Sequence, residues 1–427
     1  MNFVFFFLVA VAFATAAWHQ LRWAGEGAAP MDTLSRAMVE SATGSVELAL
    51  GLVGVMTLFL GLMKVAEAGG LLTIIARLIR PLMVRLFPAV PAEHPAMGAM
   101  ILNLSANALG LGNAATPFGI RAMQELERLN TRPGTATDAM VLFLAINTSS
   151  VTLLPTGVIA LRAAAGSSDP AGILPTTLFA TFCATAAAIF AAFAYRRFFP
   201  LEAAAAPAAV LTEELPAEGE VLPAAAGQAY PLWVSILALG TLLALIPLSV
   251  LYGRAIAPWI LPGLMLGFLT FGLLRRVRIY EVFVEGAKEG FQVAIRIIPY
   301  LVAILVAVAM LRASGALEAA IGLLAPWSGA VGLPAEALPM ALLRPLSGSG
   351  AYGVLASIIN DPAIGPDSYT GYLVSTLQGS TETTFYVLAV YFGAVQIRRI
   401  RHALLAALTA DVVAVFAAVF ACTYFLL

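Results

Sequence analysis

The chain has 427 residues, of which 61% are hydrophobic and only 11% are charged, and its mean hydropathy is +0.92. This composition excludes an ordinary soluble domain and indicates a membrane protein. The formal net charge of −1 gives no basic surface for nucleic acid, so nucleic acid is not an expected partner. Cys183 and Cys422 lie in apolar runs, where free thiols are expected rather than a disulfide.

Several uncharged runs are long enough to cross a hydrocarbon layer about 30 Å thick, which takes about 20 helical residues. They are 95–120, 139–161, 170–195, 231–252 and 255–274. Further runs at 46–63, 291–311 and 402–427 each carry one formally charged residue. The sequence therefore predicts an all-α polytopic membrane protein in contact with a lipid bilayer.

The first apolar segment, 1–18, lacks the basic start of a secretory signal and is followed by Arg22. We therefore expect a retained anchor with its N-terminus outside. Residues 31–45 have the pattern of an amphipathic interfacial segment. The charged run 64–85 is interrupted by glycines and a proline, which favours a half-membrane or interfacial helical hairpin.

Uncharged polar side chains are concentrated in 103–119, where glycines and a proline argue against a continuous helix. Broken helices at membrane depth are tolerated where the freed backbone lines a cavity or is buried in protein. Close packing of helices through small residues is the alternative. The candidate binding residues in this stretch are Asn103, Asn107, Asn113 and Thr116.

The strongest polar signal is QGSTETTFY, 378–386, because Glu382 is the one charged residue between 368 and 397. A lone carboxylate costs roughly 2.5 kcal/mol or more if lipid must solvate it, so it should face protein, water or a partner. Arg344 precedes another uncharged stretch and is expected inside the protein as well. A helix–helix contact through small polar residues is the alternative. The candidate binding residues here are Arg344, Ser347, Ser349, Gln378, Ser380, Thr381, Glu382 and Thr383.

The sequence repeats itself at an offset of 245 residues: AGG at 68–70 matches ASG at 313–315, and Pro81 matches Pro326. Between the copies, 200–229 are rich in alanine, proline and glutamate and predict a flexible linker. We therefore expect two homologous membrane halves, 1–199 and 230–427, with broken or re-entrant helical hairpins. Parallel repeats would place the basic residues at 22, 196–197, 275–278 and 398–401 together at the cytoplasmic face; an inverted repeat is the alternative.

Long stretches of the chain resemble two known proteins. LGLMKVAEAGGL (60–71), the run 94–119 and NTSSVTLLP (147–155) resemble spore maturation protein A, whereas RPLSGSGAYG (344–353), GPDSYTG (365–371) and QGSTETTFYVLAVYFG (378–393) resemble spore maturation protein B. The chain is thus similar to the two proteins fused, within the nucleoside recognition, or gate domain, family. The resemblance implies a multi-pass protein of the bacterial inner membrane that is related to transport.

We expect the halves to enclose a polar cavity and the chain to act as a secondary transporter of a small polar solute. A nucleoside, a small peptide and an organic anion all fit the candidate residues. A membrane scaffold for cell-envelope or peptidase partners and a passive channel are the alternatives. The oligomeric state stays open, a homo-oligomer included.

An enzyme is not expected, because His19, His94 and His402 show no metal-ligand spacing. No cofactor is expected either, although a secondary transporter would need a coupling proton or sodium ion. Two roles remain open for Arg344 and Glu382. They form a structural ion pair, or Glu382 takes up the coupling ion while Arg344 holds an anionic group of the solute.

Overall fold

The structure is a computed structural model that describes residues 2–25, 27–110, 112–149, 151–200 and 230–425. The predicted linker, 200–229, lies outside the described residues except for Pro200. Within the described ranges the chain forms α-helices and turns without a β-strand, and a 3₁₀ turn at Ala335–Ala337 precedes α12. The helices are α1 Asn2–Leu21, α2 Pro30–Ala68, α3 Leu71–Leu86, α4 Pro95–Ala108, α5 Gly112–Arg128, α6 Asp138–Thr148, α7 Thr156–Ala164, α8 Leu174–Tyr195, α9 Leu232–Leu274, α10 Ile279–Ala313, α11 Ala316–Gly329, α12 Leu338–Leu343, α13 Gly348–Ile359, α14 Tyr369–Ser380, α15 Thr384–Ala394 and α16 Ala403–Phe425.

Two described helices, α8 and α16, are each long and apolar enough to cross a membrane. The end of α2 together with α3 is a further candidate, in which two helices meet at a bend of 68°. The chain is therefore an all-α, multi-pass membrane protein, as the sequence predicts.

The two halves contain the same succession of elements. The helices α2 to α8 correspond in order to α10 to α16. α2 ends at Ala68 and α10 at Ala313, and the glycine that starts the next helix, Gly70 or Gly315, has a left-handed φ of 87° or 77°. The predicted repeat is confirmed, and it extends over seven consecutive elements in each half.

The first helices of the repeated succession, α2 and α10, pack along each other in opposite directions. Near the end of α2, Lys64 forms an ion pair with Glu289, near the start of α10, at 3.2 Å. Near the start of α2, Leu34 belongs to the same apolar cluster as Met310, near the end of α10. Corresponding helices of the two halves therefore run antiparallel here.

The last helices of the halves show the same relationship. The hydroxyl of Tyr195, at the end of α8, lies 3.0 Å from that of Thr409, near the start of α16. At the other end, the rings of Phe179 and Phe420 lie 5.7 Å apart between centroids. Buried alanines between the two helices allow a close approach. Because both pairs are antiparallel, the halves form an inverted repeat.

The two ends of the molecule differ in charge. At the end where α8 stops and α16 begins, Arg401 bonds to Asp138 and to the carbonyl of Phe199. We call this the basic end; it contains Arg128, Arg132, Arg196, Arg197, Arg275, Arg276, Arg278, Arg398, Arg399 and Arg401. At the opposite end, the start of α2 contacts the end of α1, where the amide of Met31 donates to the Gln20 side chain. Arg22 therefore lies opposite Arg196 and Arg197, so the parallel arrangement, which would place all three at one face, does not hold.

The segment predicted as interfacial, 31–45, is part of a long helix. It forms the first turns of α2, which packs along α10. The run 64–85 likewise forms the end of α2 and the bent-away α3, instead of a hairpin.

The element α9 contacts the α2–α3 corner at both of its ends. Before its start, the amide of Tyr230 donates to the carbonyl of Arg77, and near its end Phe271 packs against Gly69. A straight helix of 43 residues would extend about 65 Å, far more than this separation. α9 therefore bends back on itself, which agrees with the two successive spans predicted at 231–252 and 255–274.

Candidate functional site

Each half contains two interruptions in its helices. In the first half they separate α4 from α5 and α6 from α7; in the second half they separate α12 from α13 and α14 from α15. Each interruption frees backbone groups that would otherwise be bonded within a helix. At membrane depth such groups need protein partners or a polar cavity.

The four interruptions meet at one place. The amide of Glu382, in the α14–α15 break, donates to the carbonyl of Thr148 at the end of α6, at 2.8 Å. Within the first half, the amide of Leu153 donates to the carbonyl of Ala108 at 2.9 Å, and within the second half Phe385 donates to Pro345 at 3.0 Å. The freed backbone groups of one break therefore satisfy those of another.

Glycine is required where two of these breaks touch. Gly110, in the α4–α5 break, has a left-handed φ of 75°. A Cβ atom at this position would lie 2.5 Å from the carbonyl oxygen of Leu154 in the α6–α7 break. The glycines noted in the sequence thus allow the α4–α5 break to contact the α6–α7 break.

A cavity of about 150 Å³ lies between the breaks and is lined by both halves. The first half contributes its α4–α5 and α6–α7 breaks, and the second half contributes most of the polar side chains. The lining residues are Gly110, Thr152, Leu154, Pro155, Thr156, Gly157, Val158, Arg344, Gly348, Tyr352, Gln378, Gly379, Thr381, Glu382 and Thr383.

Arg344 is held by the α14–α15 break. Its side chain is 8% exposed and donates to the hydroxyl of Thr383 at 3.0 Å and to the carbonyl of Thr381. The nearest carboxylate oxygen of Glu382 is 3.9 Å away, at the outer limit of an ion pair, and the Glu382 side chain is 48% exposed. The guanidinium is therefore fixed mainly by the break itself, and the carboxylate faces the open space of the cavity.

The three candidate serines of the second half lie at the ends of its helices. Ser347 caps α13 by accepting from the amide of Gly350 at 3.0 Å. Ser380 donates back to the carbonyl of Leu377 at 3.1 Å, in the last turn of α14. Ser349 lies half-buried in the first turn of α13. The structure thus places these three around the breaks and outside the lining of the cavity.

The polar residues of the first half lie behind the cavity. Asn103 is fully buried and donates to the carbonyl of Ala115 at 2.7 Å and to the hydroxyl of Tyr391, from the second half, at 3.1 Å. Asn107 donates to the side chain of Asn147 at 2.9 Å, next to the α6–α7 break. Thr116 lies half-buried in α5, and the side chain of Asn113 lies outside the described residues. Asn103 and Asn107 therefore hold α4 against α5, α6 and α15 through hydrogen bonds.

Several residues around the cavity were not among the candidates. Thr152 and Thr156 belong to the α6–α7 break, and Tyr352 extends from α13 over Gly157, where a Cβ atom would lie 2.6 Å from its hydroxyl. Thr152 lies in NTSSVTLLP (147–155), which occupies the same place in the first half as QGSTETTFY (378–386) in the second, so the repeat was the sequence signal for it; Thr156 follows directly after that stretch. Nothing in the sequence singles out Tyr352.

Two arginine–aspartate pairs join the halves, one at each end of the molecule. Arg401 pairs with Asp138 at the basic end, at 2.6 Å, and Arg162 pairs with Asp367 at the opposite end, at 3.0 Å. Partial burial opposes ionisation of Asp367, but hydrogen bonds from Ser167 and Ser168, together with Arg162, hold its pKa below the ordinary value. A charged contact therefore joins the halves on each side of the cavity.

The described residues contain no group of three or more His, Cys, Asp or Glu side chains that could hold a metal ion. The chemistry at the cavity is instead that of hydroxyls, amides, one guanidinium and one carboxylate. Such a set can recognise a polar molecule by hydrogen bonds and charge.

Comparison with known proteins identifies the family. The Gate family, described as nucleoside recognition, matches residues 49–165 and 294–398, which together make up just over half of the chain. The chain belongs to the Gate family. Each matched region covers both helix interruptions of its half, so the four interruptions all lie within Gate regions.

Two curated relatives match different halves of the chain. Spore maturation protein B of Bacillus subtilis (strain 168) is 48% identical over 159 residues, which is 37% of this chain and 88% of the relative. Spore maturation protein A of the same organism is 44% identical over 169 residues, 39% of this chain and 86% of the relative. The chain is therefore similar to both proteins joined in one polypeptide, as the sequence motifs indicate.

Among solved structures, those of CNTnw are similar at low identity. The inward-facing substrate-bound state is 14% identical with a TM-score of 0.46, covering 96% of this chain and 92% of that chain. The outward-facing state of a variant is 14% identical with a TM-score of 0.47, covering 98% and 91%.

Proposed function

We propose that the chain is a secondary transporter that carries a small polar solute through the cavity at the four helix breaks. The observation that supports this most directly is the placement of Arg344 and Glu382. Both side chains face a cavity enclosed by interruptions from two antiparallel halves. Inverted repeats with discontinuous helices at the substrate site are a common architecture of secondary transporters.

The cavity favours a solute with both an acceptor and a donor group. Arg344 offers a positive charge, and the N-termini of α7 and α13 direct backbone N–H groups towards the same space. Together they suit a carboxylate, phosphate or carbonyl oxygen of the solute. Glu382 suits a hydroxyl or amine. Nucleosides, small peptides and amino-bearing organic anions all combine these groups.

The candidate residues take two roles in this proposal. Five of them line the cavity and would contact the solute: Arg344, Gln378, Thr381, Glu382 and Thr383. The others would hold the breaks in place, as Asn103, Asn107, Ser347 and Ser380 do through their hydrogen bonds. Loss of the second group should harm folding more than solute affinity.

The charge difference between the ends sets the proposed orientation. Basic residues near membrane helices are retained on the cytoplasmic side. The basic end would then face the cytoplasm of a bacterial inner membrane. Since α1 ends beside the start of α2, at the opposite end, α1 would begin on the cytoplasmic side, contrary to the expected anchor with its N-terminus outside.

The test combines a stability screen with flux into vesicles. Purified wild-type protein is heated with nucleosides, dipeptides and carboxylates, with and without sodium and across a pH series. A ligand at about 100 times its dissociation constant should stabilise the fold by about 2.7 kcal/mol. A hit should then accumulate in proteoliposomes under an ion gradient. Flux that ignores the gradient would indicate a passive channel, and a flat screen with folded protein would favour the scaffold.

A further inference from the structure

A second acid lies inside the membrane-spanning part, at Asp411 in the middle of α16. Its side chain is 7% exposed, and one of its oxygens, Oδ2, accepts a hydrogen bond of 2.7 Å from the hydroxyl of Thr384. Among the described residues no donor reaches the other oxygen, Oδ1, which is also buried. A buried carboxylate with a single neutral partner is costly in its ionised form.

Asp411 faces a small separate cavity of about 10 Å³. This is close to the smallest space that one water molecule needs. Arg344 lines this cavity as well as the larger one, and it is the charged side chain that faces Asp411 across it. Arg344 thus stands between two carboxylates, Asp411 on one side and Glu382 on the other.

The guanidinium decides which ion Asp411 can take. A sodium ion needs several oxygen ligands and would be repelled by the positive charge of Arg344 in the same small space. A proton needs no further ligand, because it forms one bond to a carboxylate oxygen and removes the buried charge. The geometry therefore favours protonation over metal binding.

We propose that Asp411 is a proton-binding site that is linked to the solute cavity through Arg344. A hydronium ion that reaches the small cavity transfers its proton to Oδ1: one O–H bond forms on the carboxyl group, one O–H bond of the hydronium breaks, and a water molecule is left. While Asp411 is neutral, the positive charge of Arg344 is available to Glu382 and the solute. When Asp411 is ionised, its charge attracts the guanidinium and weakens the field that Arg344 provides in the larger cavity. This linkage rests on the proposed transport function, whereas protonation of Asp411 does not.

Infrared difference spectroscopy of the wild-type protein in lipid, recorded across a pH series, measures protonation without any solute. Exposed carboxyl groups also become protonated as the pH falls, so the band of the buried group is recognised by the higher carbonyl frequency of a carboxyl group out of contact with water. We expect this higher-frequency band to grow as the pH falls, to be lost in Asp411→Asn and to be retained in Glu382→Gln. In Arg344→Gln the band should persist to higher pH, because the cation that favours the ionised form is removed.

Survival of the higher-frequency band in Asp411→Asn, or its loss in Glu382→Gln, would overturn the proposal. If Asp411→Asn does not fold, Thr384→Val provides the second test, since it removes the hydrogen bond to Oδ2 and keeps the acid. The band must then shift in frequency, and an unchanged band would contradict the assignment. A band that behaves as expected in a protein without solute flux would leave the proton site standing and reject the transport function alone.

Discussion

The amide of Glu382 donates a 2.8 Å hydrogen bond to the carbonyl of Thr148, and this bond joins the α14–α15 break to the α6–α7 break of the other half. Thr148 is the last residue of α6, so its carbonyl has no partner further along that helix. The backbone of Glu382 thus has a structural role, while its side chain, half-exposed, faces the cavity. The two functions of this residue can be separated by mutation.

Glu382→Gln should leave the protein folded and abolish solute binding. The ion pair with Arg344 is long and the carboxylate is about half exposed, so its loss should cost less than about 1 kcal/mol. Thermal unfolding and solute-dependent stabilisation are measured on the same samples. A large fall in unfolding temperature would show that the pair is structural after all.

Arg344→Ala should destabilise the protein by about 1–3 kcal/mol, because the carbonyl of Thr381 and the hydroxyl of Thr383 lose their buried donor. Arg344→Lys keeps the charge but cannot reproduce both planar contacts, so it should fold better than the alanine variant and still bind solute weakly. Denaturation midpoints and solute affinity of the three proteins are compared. Full solute affinity in the lysine variant would show that the charge alone is sufficient.

Gly290→Ala should destabilise the protein by about 1–3 kcal/mol through overpacking. The added Cβ atom would lie 2.7 Å from the carbonyl oxygen of Met56 and from the Cα atom of Thr57, where α10 crosses α2. Gly54→Ala on α2 is the matched control, because no atom lies within 4 Å of its added Cβ. The control should be neutral or slightly stabilising. Equal effects in the two variants would argue against the close crossing.

Cysteines introduced at Arg22 and Arg197 should be labelled from opposite sides of the membrane. The two positions are exposed and lie at opposite ends of the structure. With Cys183 and Cys422 replaced, an impermeant thiol reagent added to intact cells should reach Arg22→Cys but reach Arg197→Cys only after lysis. Labelling of both from the same side would contradict the placement of the start of α2 and the end of α8 at opposite ends, and the reverse pattern would contradict the proposed orientation alone.

The stability of the basic end should fall as the pH drops through about 6.5. Burial, together with the neighbouring Arg401, lowers the pKa of His402 from its ordinary value of 6.5, although Asp138 and the carbonyl of Ala192 oppose this. Below that pH the unfolded chain binds the proton more readily than the folded chain, so the free energy of unfolding decreases. His402→Gln should remove this part of the dependence, measured as unfolding temperature between pH 8 and pH 5.5. An unchanged slope in the variant would assign the dependence to other groups.

The interruption between α4 and α5 was predicted from the sequence because its cause is local: the glycines and the proline of 103–119 weaken a helix wherever they stand. The offset between Ala68 and Ala313 likewise showed the repeat directly. These features depend on residues close together in the chain, so they left a readable pattern. The run 139–161, by contrast, was predicted as one crossing, although it is divided between α6 and α7.

The inversion of the halves could not be predicted in the same way. The contacts that show it, such as Tyr195 with Thr409, join residues more than 200 positions apart and involve common side chains. The parallel and inverted arrangements have the same elements in the same order, and only packing distinguishes them. The contacts of Asn103 could not be predicted for a similar reason, because an amide that binds a solute and one that binds Tyr391 look alike in sequence.

The antiparallel halves also have a consequence for biosynthesis. Since α2 begins at the end opposite to the start of α10, the ribosome must deliver two similar sequences to the membrane in opposite orientations. The arginines at 275–278 stand directly before α10, whereas those at 196–197 stand after α8, at the close of the first half. Clusters of arginine thus retain the end of the first copy and the start of the second copy on the same side of the membrane. Joining both copies in one polypeptide fixes their ratio at one to one, and the doubled-back α9 returns the chain to the side from which the second insertion starts.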